Sequence, residues 1–233
     1  MPQATPTAIA AAAGAPPFGT AVARNLPLLL QGLVVTVELS ILALLLSLVQ
    51  GVLFGVLRIA PAVPLRALGT AYVEFFRNTP LLVQTFFAYF GLPAIGLRLP
   101  GFSAAFLALG VYTGAFVAEV VRAGILSISR GQLEAARALG LTYGQMMRFV
   151  IVPQAIATTV PPLGNLAIAL VKNSSLASTI AVADVMYNGE IVNSRTFATY
   201  EVFGFVALCY LALTLPMGGV VGLLERRLTR FRR

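Results

Sequence analysis

The residues able to do chemistry in this chain are few, and they sit inside or beside long apolar runs. Glu119 and Arg122 stand three apart, a spacing that places both on one helical face where they can pair. Glu74 and Arg77 repeat that spacing at the start of another apolar run, and Glu38 stands alone in a third. Thr79-Pro80 followed by Gln84, and Pro161-Pro162 followed by Gly164 and Asn165, set helix breakers beside polar side chains. Lys172, Asn173, Ser174 and Ser175 close the second of these two runs. Broken helices beside polar groups are how membrane proteins expose backbone to a solute at mid-depth. A polar zwitterion can use such groups, a cation meeting its carboxylate and amides reading its side chain. Plainer readings stand beside each of these. Glu119 and Arg122 read first as an ion pair fixing helix packing, Glu38 as a partner for another helix, Glu74 and Arg77 as interfacial, and the prolines as kinks that serve packing.

Catalysis has almost nothing to draw on. The 233 residues include no His, no Trp and a single Cys, which excludes imidazole or thiolate metal cages, Ser-His and Cys-His pairs, and intrachain disulfides. No metal site is expected. Cys209 lies in an apolar run, where it reads as a small buried hydrophobe. The sole lysine, Lys172, belongs to no G-x-x-x-x-G-K-[ST] loop, so the chain has no such phosphate cradle of its own.

The elements that must position these residues follow from composition. Fifty-eight per cent of the chain is hydrophobic and 10% charged, with a mean hydropathy of +0.90, too little polar surface for a water-soluble domain. Five apolar stretches are long enough to span a bilayer: about 28–57, 71–92, 102–125, 150–171 and 200–224. Their continuity fits helices and not the alternation of barrel strands. The expectation is an all-α integral membrane protein with five transmembrane helices. Residues 1–24, rich in Ala and Pro, read as a flexible tail and not a signal peptide, and 25–233 as the membrane domain. No internal repeat is seen.

The net charge of +8 would suggest nucleic acid in a soluble chain; here it is a topology signal. With the C-terminus inside and an odd number of spans, twelve of the sixteen basic residues fall on cytoplasmic segments, leaving Arg24, Arg98, Lys172 and Arg195 outside. The expected orientation is N-out, C-in.

The cytoplasmic interruption, about 127–149, reads as helix, glycine turn, helix. Ser129 with Gln132, and Thr142 with Gln145, fit capping boxes; Gly140 can take the left-handed conformation between them. The second helix is expected to run to Val152 and meet Pro153. An amphipathic pair lying on anionic headgroups is one reading of this hairpin. Its small residues, Ala135, Ala136, Ala138 and Gly140, favour the other, a docking surface that another backbone approaches closely.

The run EAARALG from Glu134, with IVP at Ile151 to Pro153, resembles the EAA loop of binding-protein-dependent ABC importer permeases. VEFFRNTPLLVQTFFAYFGLP from Val73, AEVVRAGILSISRGQLEAARALGL from Ala118 and PPLGNLAIALVKNSSLASTI from Pro161 extend the likeness to the polar amino acid permeases, over about Gly32 to the C-terminus. The resemblance implies a type I ABC importer permease fold in a bacterial cytoplasmic (inner) membrane, and a non-catalytic, multi-pass subunit. Its EAA helix, here Glu134, Ala135, Ala136 and Gly140 with Pro153 beyond, would dock on a cytoplasmic ABC ATPase. The implied partners are a dimer of that ATPase, a second permease, identical or homologous, and an extracytoplasmic solute-binding protein. ATP and Mg would be bound by the ATPase, with no cofactor in this chain and no nucleic acid partner. Membrane lipid surrounds it.

The resemblance also implies substrate contacts on the second and fourth spans, at Thr79, Gln84, Asn165 and Asn173, with Lys172 and Ser174 beside them. Relatives that carry cationic amino acids often place an acidic residue after the Asn and after the Lys, where this chain has Leu166 and Asn173. Its KNSS run is most similar to acidic amino acid permeases, so the expected cargo is a neutral or acidic polar amino acid. The alternative is a secondary transporter or channel without an ATPase, for which Glu38 and Glu119 are thin support. A lipid-modifying enzyme is disfavoured for want of acid and base groups.

Overall fold

The computed structural model describes residues 19–230, and among them every regular element is helical. Residues 1–18, and 231–233 with Arg232 and Arg233, lie outside the described residues. The first helix, α1, spans Thr20–Leu57 and so begins inside the segment read as a tail. Next come α2, Val63–Arg77, and the short α3, Leu81–Phe86, which continues through a π turn at Phe87–Gly91 and a 3-10 turn at Leu92–Ile95. The second expected span is therefore not one helix. Pro80 cannot donate a backbone hydrogen bond and pushes Thr79 out of the helical region, so the chain breaks between Arg77 and Leu81.

Helix α4 covers Gly101–Leu126, and α5, Arg130–Ala138, begins the hairpin that follows it. Helix α6, Tyr143–Met146, passes through a π turn at Met147–Ile151 into α7, Val152–Asn173. A 3-10 turn, Ser174–Ile180, leads to α8, Val185–Thr196, and to the last helix, α9, Thr199–Arg230. Four stretches are long and apolar enough to cross a membrane: Thr20–Leu57, Gly101–Leu126, Tyr143–Ile180 and Thr199–Leu228.

Two expectations about prolines are corrected here. The hairpin's second helix does not stop at Pro153, because the wider π turn before it accommodates the missing donor and the helical path continues through Pro153 into α7. Pro161 and Pro162 do not break α7 either; both lie within it.

Small residues bring α1 and α4 together along most of their length. A Cβ placed on Gly55 would lie 2.8 Å from the Ala118 carbonyl oxygen, so only glycine lets the backbones close. Leu46 meets Gly110, Gly51 meets Gly114 and Val117, and Gly55 meets Ala118 and Val121. The numbers rise together, so these two helices are parallel, and the broken α2–α3 segment returns the chain between them. Gly124 lies against Ala155 and Thr159 while Gly101 lies against Ile180 and Val182, so α7 runs antiparallel to α4. Gly164 meets Val221, and Tyr210 reaches Asp184 just beyond the end of α7, so α9 reverses direction again.

The central core joins Leu39 and Ala43 of α1, Leu81 and Ala88, Ala104 to Leu109 of α4, and Leu170 to Val182. A second cluster, Ala21, Leu29, Val192 and Val202, ties the start of α1 to α8 and α9 at one end of the bundle. Large apolar side chains such as Val49, Leu208, Leu215 and Leu223 stay exposed, as they do on a lipid-facing or subunit-facing surface.

Candidate functional site

The hairpin at one end of the bundle is built from local signals. Thr142 and Gln145 form both halves of a capping box: the Gln145 N–H donates to Thr142 Oγ1 at 3.4 Å and the Thr142 N–H donates to Gln145 Oε1 at 2.9 Å. Ser129 caps α5 by position only, with no hydrogen bond from its side chain. Gly140 turns the chain at φ 74°. Its N–H donates to the Arg137 carbonyl and the Leu141 N–H to the Ala136 carbonyl, which closes the C-terminus of α5.

Of the sequence-derived docking residues, Glu134, Ala135 and Gly140 are exposed, and so is Pro153. Ala136 is not: at 4% exposure it forms the inner seam of the hairpin, where its small side chain lets α5 pack on the turn that follows. What projects instead is Leu139 at 81% exposure and Tyr143 at 72%, on either side of Gly140. Neither is among the residues to which the sequence motif points. The available signal was a large apolar residue directly flanking a glycine turn, where burial is hard to arrange.

At the proline break, Gln84 has a structural task. Pro80 leaves the Phe76 carbonyl without its helical donor, and Gln84 Nε2 donates to that carbonyl at 2.9 Å and to the Thr79 carbonyl at 3.0 Å. Two carbonyl partners fix the amide orientation, so Gln84 Oε1 is left buried with no partner. Thr79 Oγ1 donates to the Phe75 carbonyl at 2.8 Å. The two residues line a cavity of about 370 Å³ whose other walls are apolar, including Phe76, Phe87, Ala108 and Val111.

The remaining candidates divide. Asn165 and Lys172, seven apart on α7, share one exposed stripe, with Asn173 half-buried beside them. Ser174 turns inward, fully buried, and donates to the Val171 carbonyl at 2.8 Å. It belongs to a polar knot around Asp184. There the Asp184 carboxylate accepts from the Tyr187 N–H at 2.8 Å and from the Tyr210 hydroxyl at 3.4 Å, and Thr36 Oγ1 accepts from the Val185 N–H at 3.1 Å. Burial pushes the Asp184 carboxyl up to about 7.

Away from Asp184, toward the hairpin end, charged groups of α2 and α4 converge with Arg58, the residue that caps α1. Glu119 takes Arg122 Nη2 at 2.5 Å, Arg77 Nη1 at 3.3 Å and Arg58 Nη1, while Arg58 also lies 3.7 Å from Glu74. The Glu119–Arg122 pair expected from spacing is present, but its partners across the bundle were not legible in sequence. Glu38 does not face the bundle; it is exposed.

Comparison with known proteins now places the chain. Residues 47–230 match the family described as "Binding-protein-dependent transport system inner membrane component". The chain is 51% identical over 206 residues to the probable glutamine ABC transporter permease protein GlnM of Bacillus subtilis, covering 88% of this chain and 95% of that one. It is 37% identical over 205 residues to the glutamine transport system permease protein GlnP of Escherichia coli K12, covering 87% and 94%. A crystal structure of an amino acid ABC transporter with histidines is similar at a TM-score of 0.85 and 36% identity, covering 89% of this chain and 97% of that one. The methionine ABC transporter MetNI, at 23% identity and a TM-score of 0.71, shares the fold. The chain belongs to the inner membrane components of binding-protein-dependent transport systems, the permease subunits of ABC importers.

Proposed function

We propose that this permease imports a neutral or acidic polar amino acid, coupled to a pair of cytosolic ATPase subunits through the hairpin from Arg130 to Met146. The observation that carries the coupling is the exposure of Leu139 and Tyr143 at the tip of a turn rigidly closed by Gly140 and the Thr142–Gln145 box. An apolar tip of that kind fits a groove on a partner. Glu134 and Ala135 flank it on the exposed side of α5. ATP and Mg belong to the ATPase.

The hairpin end is cytoplasmic in this reading, with the N-terminus and α8 outside and five crossings, the second made by the broken α2–α3 segment. The basic residues favour that orientation. An extracytoplasmic binding protein delivers cargo to the α8 end, and a second permease, identical or homologous, completes the path. Asn165, Lys172 and Asn173 line this chain's share of it, the Lys172 ammonium meeting the cargo carboxylate. Thr79 and Gln84 shape the proline break in the second crossing. The absence of acidic side chains at positions 166 and 173 disfavours a cationic cargo, and glutamine and glutamate permeases among the relatives support the same class.

Competition decides the cargo. In cells carrying the complete transporter, excess unlabelled glutamine, glutamate or cystine suppresses uptake of the labelled cargo, and arginine does not. Strong arginine uptake without uptake of those three overturns the assignment.

A further inference from the structure

The arginine cluster and the apolar cavity beside the proline break lie along one line of the molecule. Ala108 and Glu119 are eleven residues apart on α4, as are Val111 and Arg122. Eleven residues make three helical turns, so each pair shares a face, about 16 Å apart along the axis. The cavity walls at Ala108 and Val111 therefore stand directly beyond Glu119 and Arg122, towards the middle of the bundle. Helix α2 joins the two parts from the other side: Arg77 reaches Glu119, while Phe76 and Thr79, its neighbours in sequence, line the cavity.

The cluster carries surplus positive charge. Three arginines, Arg58, Arg77 and Arg122, share two carboxylates, Glu74 and Glu119. Arg58 is spent inside the protein, with 10% of its side chain exposed. Arg77 and Arg122 each keep about a third of theirs exposed, at 35% and 32%, with guanidinium donors beyond those that meet Glu119. The Arg77 guanidinium is steadied over the Phe116 ring, 5.1 Å from its centre. The cavity, by contrast, is walled by Phe75, Val83, Phe87 and Val111, and Phe75 and Phe87 remain more than 60% exposed.

We propose that this groove holds one anionic phospholipid, its phosphodiester headgroup on Arg77 and Arg122 and one acyl chain in the cavity between α3 and α4. Charge complementarity selects the head, and the apolar walls select the tail. The length fits, since a leaflet's hydrocarbon is about half of a ~30 Å core, close to the ~16 Å between the guanidinium level and the cavity wall. The headgroup lies on the cytoplasmic side, where basic pockets between spans take anionic headgroups. That placement rests on the orientation proposed above. The site ties α2, on one side of the proline break, to α4, so its occupant steadies the break.

The test uses the importer purified with its partner subunits, stripped of lipid and titrated with dioleoyl phosphatidylglycerol or dioleoyl phosphatidylcholine, bound lipid being counted by native mass spectrometry. One phosphatidylglycerol per permease is retained at about tenfold lower concentration than phosphatidylcholine, an arginine-sized preference for anionic lipid. Replacing Arg77→Gln and Arg122→Gln together removes the preference. Ala108→Phe, which fills the cavity and leaves the arginines, weakens retention of both lipids. Millimolar inorganic phosphate does not displace the bound lipid; displacement would make the cluster a site for free phosphate and sink the acyl-chain assignment. Equal retention of the two lipids by the unaltered protein overturns the proposal. So does a disulfide forming between Val83→Cys of two copies in a Cys209→Ser background, which would show a second permease in the groove. Whether the ATPase co-purifies is read in the same preparation and is independent of the lipid result, so the two claims fail separately.

Discussion

Asp184 ties together the end of the molecule opposite the hairpin. It caps α8, accepts from Tyr210 of α9 and sits in a pocket whose opposite wall is α1, where a Cβ on Gly32 would come within 2.6 Å of the Asp184 carbonyl oxygen. Burial raises its carboxyl pKa to about 7, against an unfolded value of about 3.9. Between those values the folded chain binds more protons than the unfolded one, so stability falls as pH rises from about 4 to about 7 and levels off above. The melting temperature of the purified permease in detergent should follow that slope, and Asp184→Asn, which can still cap the helix, should flatten it. An unchanged slope in the variant would assign the pH dependence to other groups. Gln84 teaches a related lesson. Its amide donates to the Phe76 carbonyl that Pro80 leaves free and to the Thr79 carbonyl, so it repairs the break. A polar side chain just after an X-Pro break is a helix-repair group first, and sequence shows the break more readily than the repair.

At the scale of elements, the hairpin from α5 to α6 was the most legible part of the chain, because glycine turns and capping boxes act over three or four residues. Its presented surface was not legible. Ala136 is a packing residue, and the projecting groups are Leu139 and Tyr143. Burial of one small side chain against the next turn is decided by tertiary packing, which local propensity does not encode. The continuation of α6 through a π turn into α7 was hidden for the same reason: Pro153 reads as a stop until the preceding turn widens. Introducing Leu139→Asp with Tyr143→Asp places two charges on the docking tip without touching the capping box or the spans. The variant should melt within a few degrees of the parent while losing most of the ATPase subunit on co-purification, by at least about tenfold in affinity, the scale of burying unpaired charge in an interface. Retention of the ATPase at full stoichiometry would remove the tip from the coupling surface. Ala136→Phe should instead loosen the hairpin itself.

For the whole molecule, the apolar fraction and the basic bias already implied helices with an inside and an outside. The packing adds a direction to each: parallel α1 and α4, antiparallel α7, and α9 reversed again. What sequence does not contain is the convergence of Arg58, Arg77 and Arg122 on Glu119, since only folding brings positions 58 and 119 together. Part of the surplus charge on a sparsely charged chain thus clamps α1, α2 and α4 together near the C-terminal ends of α1 and α4. On the proposed function, this chain conducts cargo only when its hairpin is driven by ATP hydrolysis on a partner. Reconstituting the permease with its ATPase and binding protein into liposomes, and measuring glutamine and glutamate uptake with and without ATP, reads that dependence. Uptake that requires ATP, the binding protein and an intact Leu139–Tyr143 tip is the predicted result. Uptake by the permease alone, driven by an ion gradient and indifferent to ATP, would contradict it.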